Sequence, residues 1–175
     1  MKIVYWSDYA CPYCYIGETR LKKAIKELGL ENEVEIETRA FELDPDVPKT
    51  VETITVDRFA KKYRLSKEEA QQQIDHISQL GIDEGIDFRY ATTLYTNTRD
   101  AHRLTKLAQT KHDAALEDRV SELLFEPILL VMRNWPNTTC YSVWLVRLDL
   151  TRLRQRTYWS RTSLTRRCAS TSVRP

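Results

Sequence analysis

The stretch YWSDYACPYCYIGETRL holds two cysteines, Cys11 and Cys14, separated only by Pro12 and Tyr13. Thiol–disulfide exchange is the chemistry this spacing serves best. Two intervening residues let a disulfide close within one helical turn. The attacking species in exchange is a thiolate, so a working redox cysteine needs a lowered pKa. At the start of a helix Cys11 would meet unpaired backbone N–H groups and the positive end of the helix dipole, both of which favour negative charge. Cys11 is therefore the expected nucleophile. Cys14, one turn further in, is the expected resolving thiol, placed to attack a mixed disulfide on Cys11. Pro12 stiffens the turn, and Tyr13 brings no strong donor to the sulfur, so a redox poise less extreme than that of a C-P-H-C site is expected. A C-x-x-C pair can also be half of a zinc site, which needs two further ligands. Cys140 and Cys168 lack ligand spacing, and His76, His102 and His112 fall on other predicted helices. No metal and no cofactor are expected.

These cysteines need a corner to sit on. Residues 2–7 are rich in Ile, Val, Tyr and Trp and read as a strand ending near Asp8. From 12 to 28, Ile16, Leu21, Ala24, Ile25 and Leu28 recur at helical spacing, Pro12 is tolerated in the first turn, and Gly29 suits the helix end. EVEIETRAFEL, from 33 to 43, alternates again as a strand. Strand, helix and strand in this order make a βαβ unit, with the cysteines at the first strand-to-helix corner.

After DPDVPKT the pattern turns helical. A short helix is expected over 57–63. Ser66 and Glu69 form a capping box for a second, which Gly81 is expected to end. GIDFRYATTLYTNT reads as an irregular crossing. Asn97 or Thr98 caps a third helix whose stripe is Ala101, Leu104, Leu107 and Ala108, and a fourth turns Leu116, Val120, Leu123 and Leu124 inward. The expected organisation is a βαβ unit over 1–45, a helical insertion over 46–125 and an atypical tail over 126–175.

That tail follows a different logic. Beyond Glu126 there is no lysine and no glycine, and Asp149 is its single acid, while Arg, Ser, Thr and Trp dominate. It shows no sustained period and reads as poorly specified, which suggests a change of reading frame near residue 126. The coding DNA decides that point.

Composition excludes several function classes. The net charge is +2 over 175 residues, with acid and base interleaved up to residue 125, so no nucleic-acid partner is expected. No apolar run reaches the roughly 20 residues of a membrane span, and IVYW after Met1 and Lys2 is too short for a signal peptide. A cytoplasmic chain is expected, with a reducing environment that favours catalytic over structural cysteines.

Taken together, SDYACPYCYIG, FELDPDVP and NTRDAHRL resemble the DsbA-like thioredoxin superfamily, in particular its cytoplasmic FrnE-like branch, over residues 1 to about 125. The resemblance implies an α/β thioredoxin fold interrupted by an all-helical insertion, with dithiol–disulfide exchange at Cys11 and Cys14. It also implies that NTRDAHRL lies near the site, with Asn97 and His102 as candidate substrate contacts. Capping alone would account for Asn97, and packing or exposure on a helix for His102. One departure stands out: the strands, helix and cis-proline that complete such a fold have no counterpart in the pattern after residue 126, so the C-terminal half of the fold reads as missing.

The expected partner is a disulfide-containing protein or a small-molecule thiol or disulfide; sequence leaves the oligomeric state open. Two alternatives remain. A glutathione-dependent isomerase or transferase of the related kappa-like group shares the fold but usually carries serine where Cys11 stands. A truncated or frame-shifted product without activity would instead associate through exposed apolar surface such as FEPILLVM.

Overall fold

A computed structural model describes residues 1–48 and 51–130 of the chain. The 131–175 part of the tail, with Cys140 and Cys168, lies outside the described residues, as do the expectations placed on it. The order of elements is β1 (Lys2–Ser7), α1 (Pro12–Glu27), β2 (Glu35–Ala40), α2 (Thr55–Tyr63), α3 (Lys67–Ile82), α4 (Arg99–Gln109) and α5 (Ala114–Phe125), then one π-helical turn over Glu126–Leu130. β1 and β2 pair in parallel from Lys2 opposite Glu35 to Ser7 opposite Ala40, so the expected βαβ unit is present. Among the described residues the sheet has these two strands.

The ends of α1 follow local chemistry. Pro12 takes the first helical position, where its missing N–H would have no intrahelical partner. At the other end Gly29 adopts φ +67°, its N–H reaches Lys26 O at 3.1 Å, and the N–H of Leu30 reaches Ile25 O at 2.9 Å. This is a Schellman ending, and only glycine enters that backbone region at no steric cost. The predicted apolar stripe of α1 holds only in part. Ile16 and Ile25 are buried, but Ala24 is exposed and Leu28 is 71% exposed. Helical spacing identifies a face, and only the neighbours decide how much of it is covered.

α3 begins on the expected capping box: Ser66 Oγ accepts from the Glu69 N–H at 3.1 Å, and the Glu69 carboxylate accepts from the Ser66 N–H at 2.8 Å. Its end differs from expectation. Gly81 lies inside the last turn and is buried, while Gly85, at φ +82°, makes the turn that follows. Gly81 is needed for another reason: a Cβ there would overlap the ring of Phe88, which lies against the helix backbone. Gly81→Ala is therefore expected to lower stability by about 1–3 kcal/mol through overpacking, read from a denaturant melt. An unchanged melt would mean that Phe88 has room to move.

A single cluster of buried side chains joins the N-terminal unit to the helices. Tyr9, Ala10 and Ile16 belong to it together with Ile74 and Ile77 of α3, Ala101 and Leu104 of α4, and Val120, Leu124 and Phe125 of α5. The Phe125 ring stacks on Tyr15 at 4.5 Å between centroids and 8° between planes, and meets Tyr9 at 4.8 Å. Phe125, Ile128 and Leu129 are fully or almost fully buried. The reading of FEPILLVM as an exposed patch is therefore corrected at these three positions: they close the core over α1. Gln109 at the end of α4 donates to the Thr38 carbonyl at 2.8 Å, which ties the helices to β2 as well.

Candidate active site

The two cysteines sit where β1 turns into α1. Asp8, Tyr9 and Ala10 form the turn, in which the Cys11 N–H donates to the Asp8 carbonyl at 3.0 Å. Cys11 is the N-cap residue in an extended conformation, and Cys14 lies in the first turn of the helix, its N–H 3.1 Å from the Cys11 carbonyl. Both thiols are free and half-buried. Pro12 is buried and Tyr13 is 54% exposed. Cys14 packs against the core cluster.

The thiols hydrogen-bond to each other, and this contact dominates their ionisation. The hydrogen bond from Cys11 holds the Cys14 pKa down to about 6, against the cost of burial. The same bond, followed by burial, pushes the Cys11 thiol up. This corrects the expectation that the helix N-terminus alone lowers Cys11. The pair gives up its first proton readily and its second with great difficulty, because two adjacent thiolates repel and share no proton. Each sulfur nevertheless has donors for a negative charge. Cys11 receives the N–H groups of Tyr13 and Cys14. The Asp8 N–H and the Ser7 hydroxyl both act to lower the Cys14 pKa, and that hydroxyl is buried without a hydrogen-bond partner.

A measurable consequence is one thiolate per dithiol at neutral pH. With Cys140 and Cys168 changed to serine, alkylation of the reduced protein should rise with pH through a midpoint of about 6, well below the roughly 8.5 of an ordinary cysteine. A midpoint near the ordinary value would show that the shared hydrogen bond does not form.

Asp8 organises the surroundings. Its carboxylate is 2% exposed and accepts from Thr98 Oγ1 at 2.7 Å, from the Leu43 N–H at 2.7 Å and from the Ala10 N–H at 3.2 Å, with His102 Nε2 3.6 Å away. Burial works against ionisation, but the bonds from His102, Leu43, Thr98 and Ala10 outweigh it and lower the Asp8 pKa. His102 is buried; its Nε2 lies 3.0 Å from the Phe41 carbonyl, so that nitrogen carries the proton. Its ring centroid is 5.1 Å from that of Tyr9. The structure thus brings His102 to the cysteine loop through Asp8. Asn97 is engaged elsewhere: its Oδ1 accepts from the Arg99 N–H at 3.0 Å and its Nδ2 donates to the Pro45 carbonyl at 3.3 Å. Thr98 holds the N-cap position of α4, yet its hydroxyl goes to Asp8 and caps nothing.

Sequence reading passed over Asp8, the tie from Thr98 to it, and a second buried carboxylate. Glu18, on α1, accepts from Ser121 Oγ at 2.9 and 3.2 Å and from Lys22 Nζ at 2.8 Å. The available signal for Asp8 was its place in SDYAC, three residues before the first thiol. Among the described residues no group of three or more His, Cys, Asp or Glu is disposed to hold a metal ion. Among the same residues no helix is long and apolar enough to cross a membrane.

A family model described as a DSBA-like thioredoxin domain matches residues 2–133. The chain belongs to this DsbA-like thioredoxin family. A search of solved structures finds the crystal structure of a probable DsbA oxidoreductase from Streptomyces coelicolor, with 29% sequence identity and a TM-score of 0.73. The alignment covers 86% of this chain and 62% of that one. Among curated proteins no match is found. The fold of this DsbA-like chain is therefore mixed α/β and thioredoxin-like, as the resemblance implied.

Proposed function

We propose that this DsbA-like chain is a thiol–disulfide oxidoreductase that works through Cys11 and Cys14 on polypeptide disulfides, with Pro12 and Tyr13 as supporting residues and His102 acting through Asp8. The observation that carries the reading is the pair of free thiols at the N-cap and in the first turn of α1, and the Cys14 thiol is held down to about 6 beside Cys11. In the reductive direction, passage of the shared proton to Cys14 leaves the thiolate on Cys11. Cys11 attacks one substrate sulfur, the substrate S–S bond breaks, and the leaving thiolate takes a proton from solvent. Cys14, deprotonated in turn, attacks Cys11 Sγ and releases the second substrate thiol. The substrate disulfide gains two electrons and the dithiol becomes a disulfide; the reverse sequence oxidises a dithiol substrate. Cys11 is assigned the outer role because Cys14 packs against the core.

Polypeptide rather than glutathione is favoured by the surface beside the dithiol. A groove of about 640 Å³ is lined by Tyr13, Phe59, Tyr63, Leu65, Glu69, Gln72, Gln73, His76 and Ile77. It offers aromatic faces and carboxamides, with one acid and no lysine or arginine. Glutathione carries two carboxylates and finds no cation there, whereas an extended peptide finds apolar contact and amide partners. The reading of the chain as an inactive association product loses part of its support, because Phe125, Ile128 and Leu129 are buried. The cytoplasm is the proposed compartment.

Insulin reduction by the dithiol-reduced protein tests this reading. With dithiothreitol supplied to regenerate the dithiol, turnover above the dithiothreitol background is expected without glutathione, and activity that appears only with glutathione would favour the isomerase or transferase instead. Changing Cys140 and Cys168 together to serine should leave that rate within error, since nothing in the sequence pattern places either at the helix corner. A large loss would mean that the tail supplies a second redox pair.

A further inference from the structure

Asp8 touches both cysteines through its main chain. Its carbonyl holds the Cys11 N–H at 3.0 Å, and its N–H is among the groups that lower the Cys14 pKa. Its side chain, at the same time, is held from separate parts of the chain. Oδ1 takes the Thr98 hydroxyl and the Ala10 N–H, and Oδ2 takes the Leu43 N–H. The carboxylate cannot rotate without giving up a buried bond, and the main chain cannot shift without moving a thiol. Burying a carboxylate to this degree is costly unless its oxygens are fully engaged. A neutral amide would serve these donors poorly, because its NH₂ would face either the Leu43 N–H or the Thr98 hydroxyl and Ala10 N–H.

We propose that Asp8 is the positioning residue of the dithiol: its side chain fastens the loop carrying Cys11 and Cys14 to the start of α4 and to the loop after β2, so that the helices fix how the two sulfurs face each other and their donors. The proposal rests on the reading of Cys11 and Cys14 as a redox pair. It assigns NTRDAHRL a purpose that neither capping nor substrate contact supplies, since Thr98 and His102 reach the thiols through Asp8. The titratable groups around the pair and Asp8 include His102 behind Asp8, Tyr9 and Tyr95, which sense the Asp8 charge, and Tyr90, which senses the charge of Cys11.

The test compares Asp8→Asn, Thr98→Val and Thr98→Ser, each with Cys140 and Cys168 changed to serine. Thr98→Val removes the tie to α4 and leaves the Asp8 charge in place; Thr98→Ser keeps the hydroxyl. The primary readout is the pH midpoint for alkylation of the reduced dithiol, which a purely structural role would not move. Thr98→Val is expected to raise that midpoint by about half a unit, which cuts the thiolate population about threefold below the midpoint. Thr98→Ser should restore the parent value. Asp8→Asn, if folded by circular dichroism, should also displace the midpoint; if it does not fold, the threonine pair decides alone. A lower melting temperature with an unchanged midpoint in Thr98→Val would overturn the proposal, as would equal shifts in the Val and Ser variants. Failure of the redox reading shows separately, as a parent protein that titrates normally but exchanges no disulfide.

Discussion

Cys14→Ser is expected to accumulate mixed disulfides between Cys11 and substrate, with turnover reduced to background, whereas Cys11→Ser accumulates few and is equally inactive. The asymmetry follows from position. Cys11 caps the helix, while Cys14 is turned toward the core cluster, where an incoming disulfide has little room. Without Cys14 the first attack still occurs, but no neighbouring thiol releases the product. Non-reducing electrophoresis followed by mass spectrometry of the adduct reads the result. Equal trapping by the two variants would remove the ordered roles.

Phe125→Ala is the substitution expected to cost the most stability, about 3–5 kcal/mol for an aromatic side chain lost from a closed core. Phe125 is completely buried, stacked on Tyr15 and tilted against Tyr9. Its ring thus joins α5 to both sides of the cysteine loop. Set against a typical margin of about 5–15 kcal/mol, the loss should make the melt broad or abolish it, and should loosen the turn that carries Cys11. A loss below about 1 kcal/mol would mean that the tyrosine rings close over the space.

Local features were legible in the sequence. The strand–helix–strand order, the Ser66 capping box and the place of the cysteine pair depend on residues within one turn of one another, and periodicity exposes them. What stayed hidden depends on distant partners. Gly81 looked like a helix end because glycine usually is one, and its real constraint is the Phe88 ring. Leu28 fitted the apolar stripe of α1 yet faces outward. Thr98 fitted a cap, and its hydroxyl instead answers a carboxylate 90 residues away. His102 was recognisable as a site candidate only by family resemblance, because its burial against Phe41 and Asp8 leaves no mark on the pattern of its own helix. The end of β2 at Ala40, short of the alternating run to 43, reflects loss of pairing beyond Ser7 opposite Ala40 and not any change in residue type.

The separations that bind the cysteine loop also set an order of assembly on the ribosome. Asp8 waits for Thr98, Tyr9 for Thr105 and Glu18 for Ser121, at distances along the chain of 90, 96 and 103 residues. At a synthesis rate of about 5–20 residues per second, the two thiols are made roughly 5–20 s before the partners that anchor them. During that interval α1 can form on its own, but the turn before it has no fixed shape. The nascent chain therefore passes through a stage in which its cysteines are ordinary exposed thiols, open to stray oxidation. Their defining chemistry arrives only when α4 and α5 fold back onto the first strand.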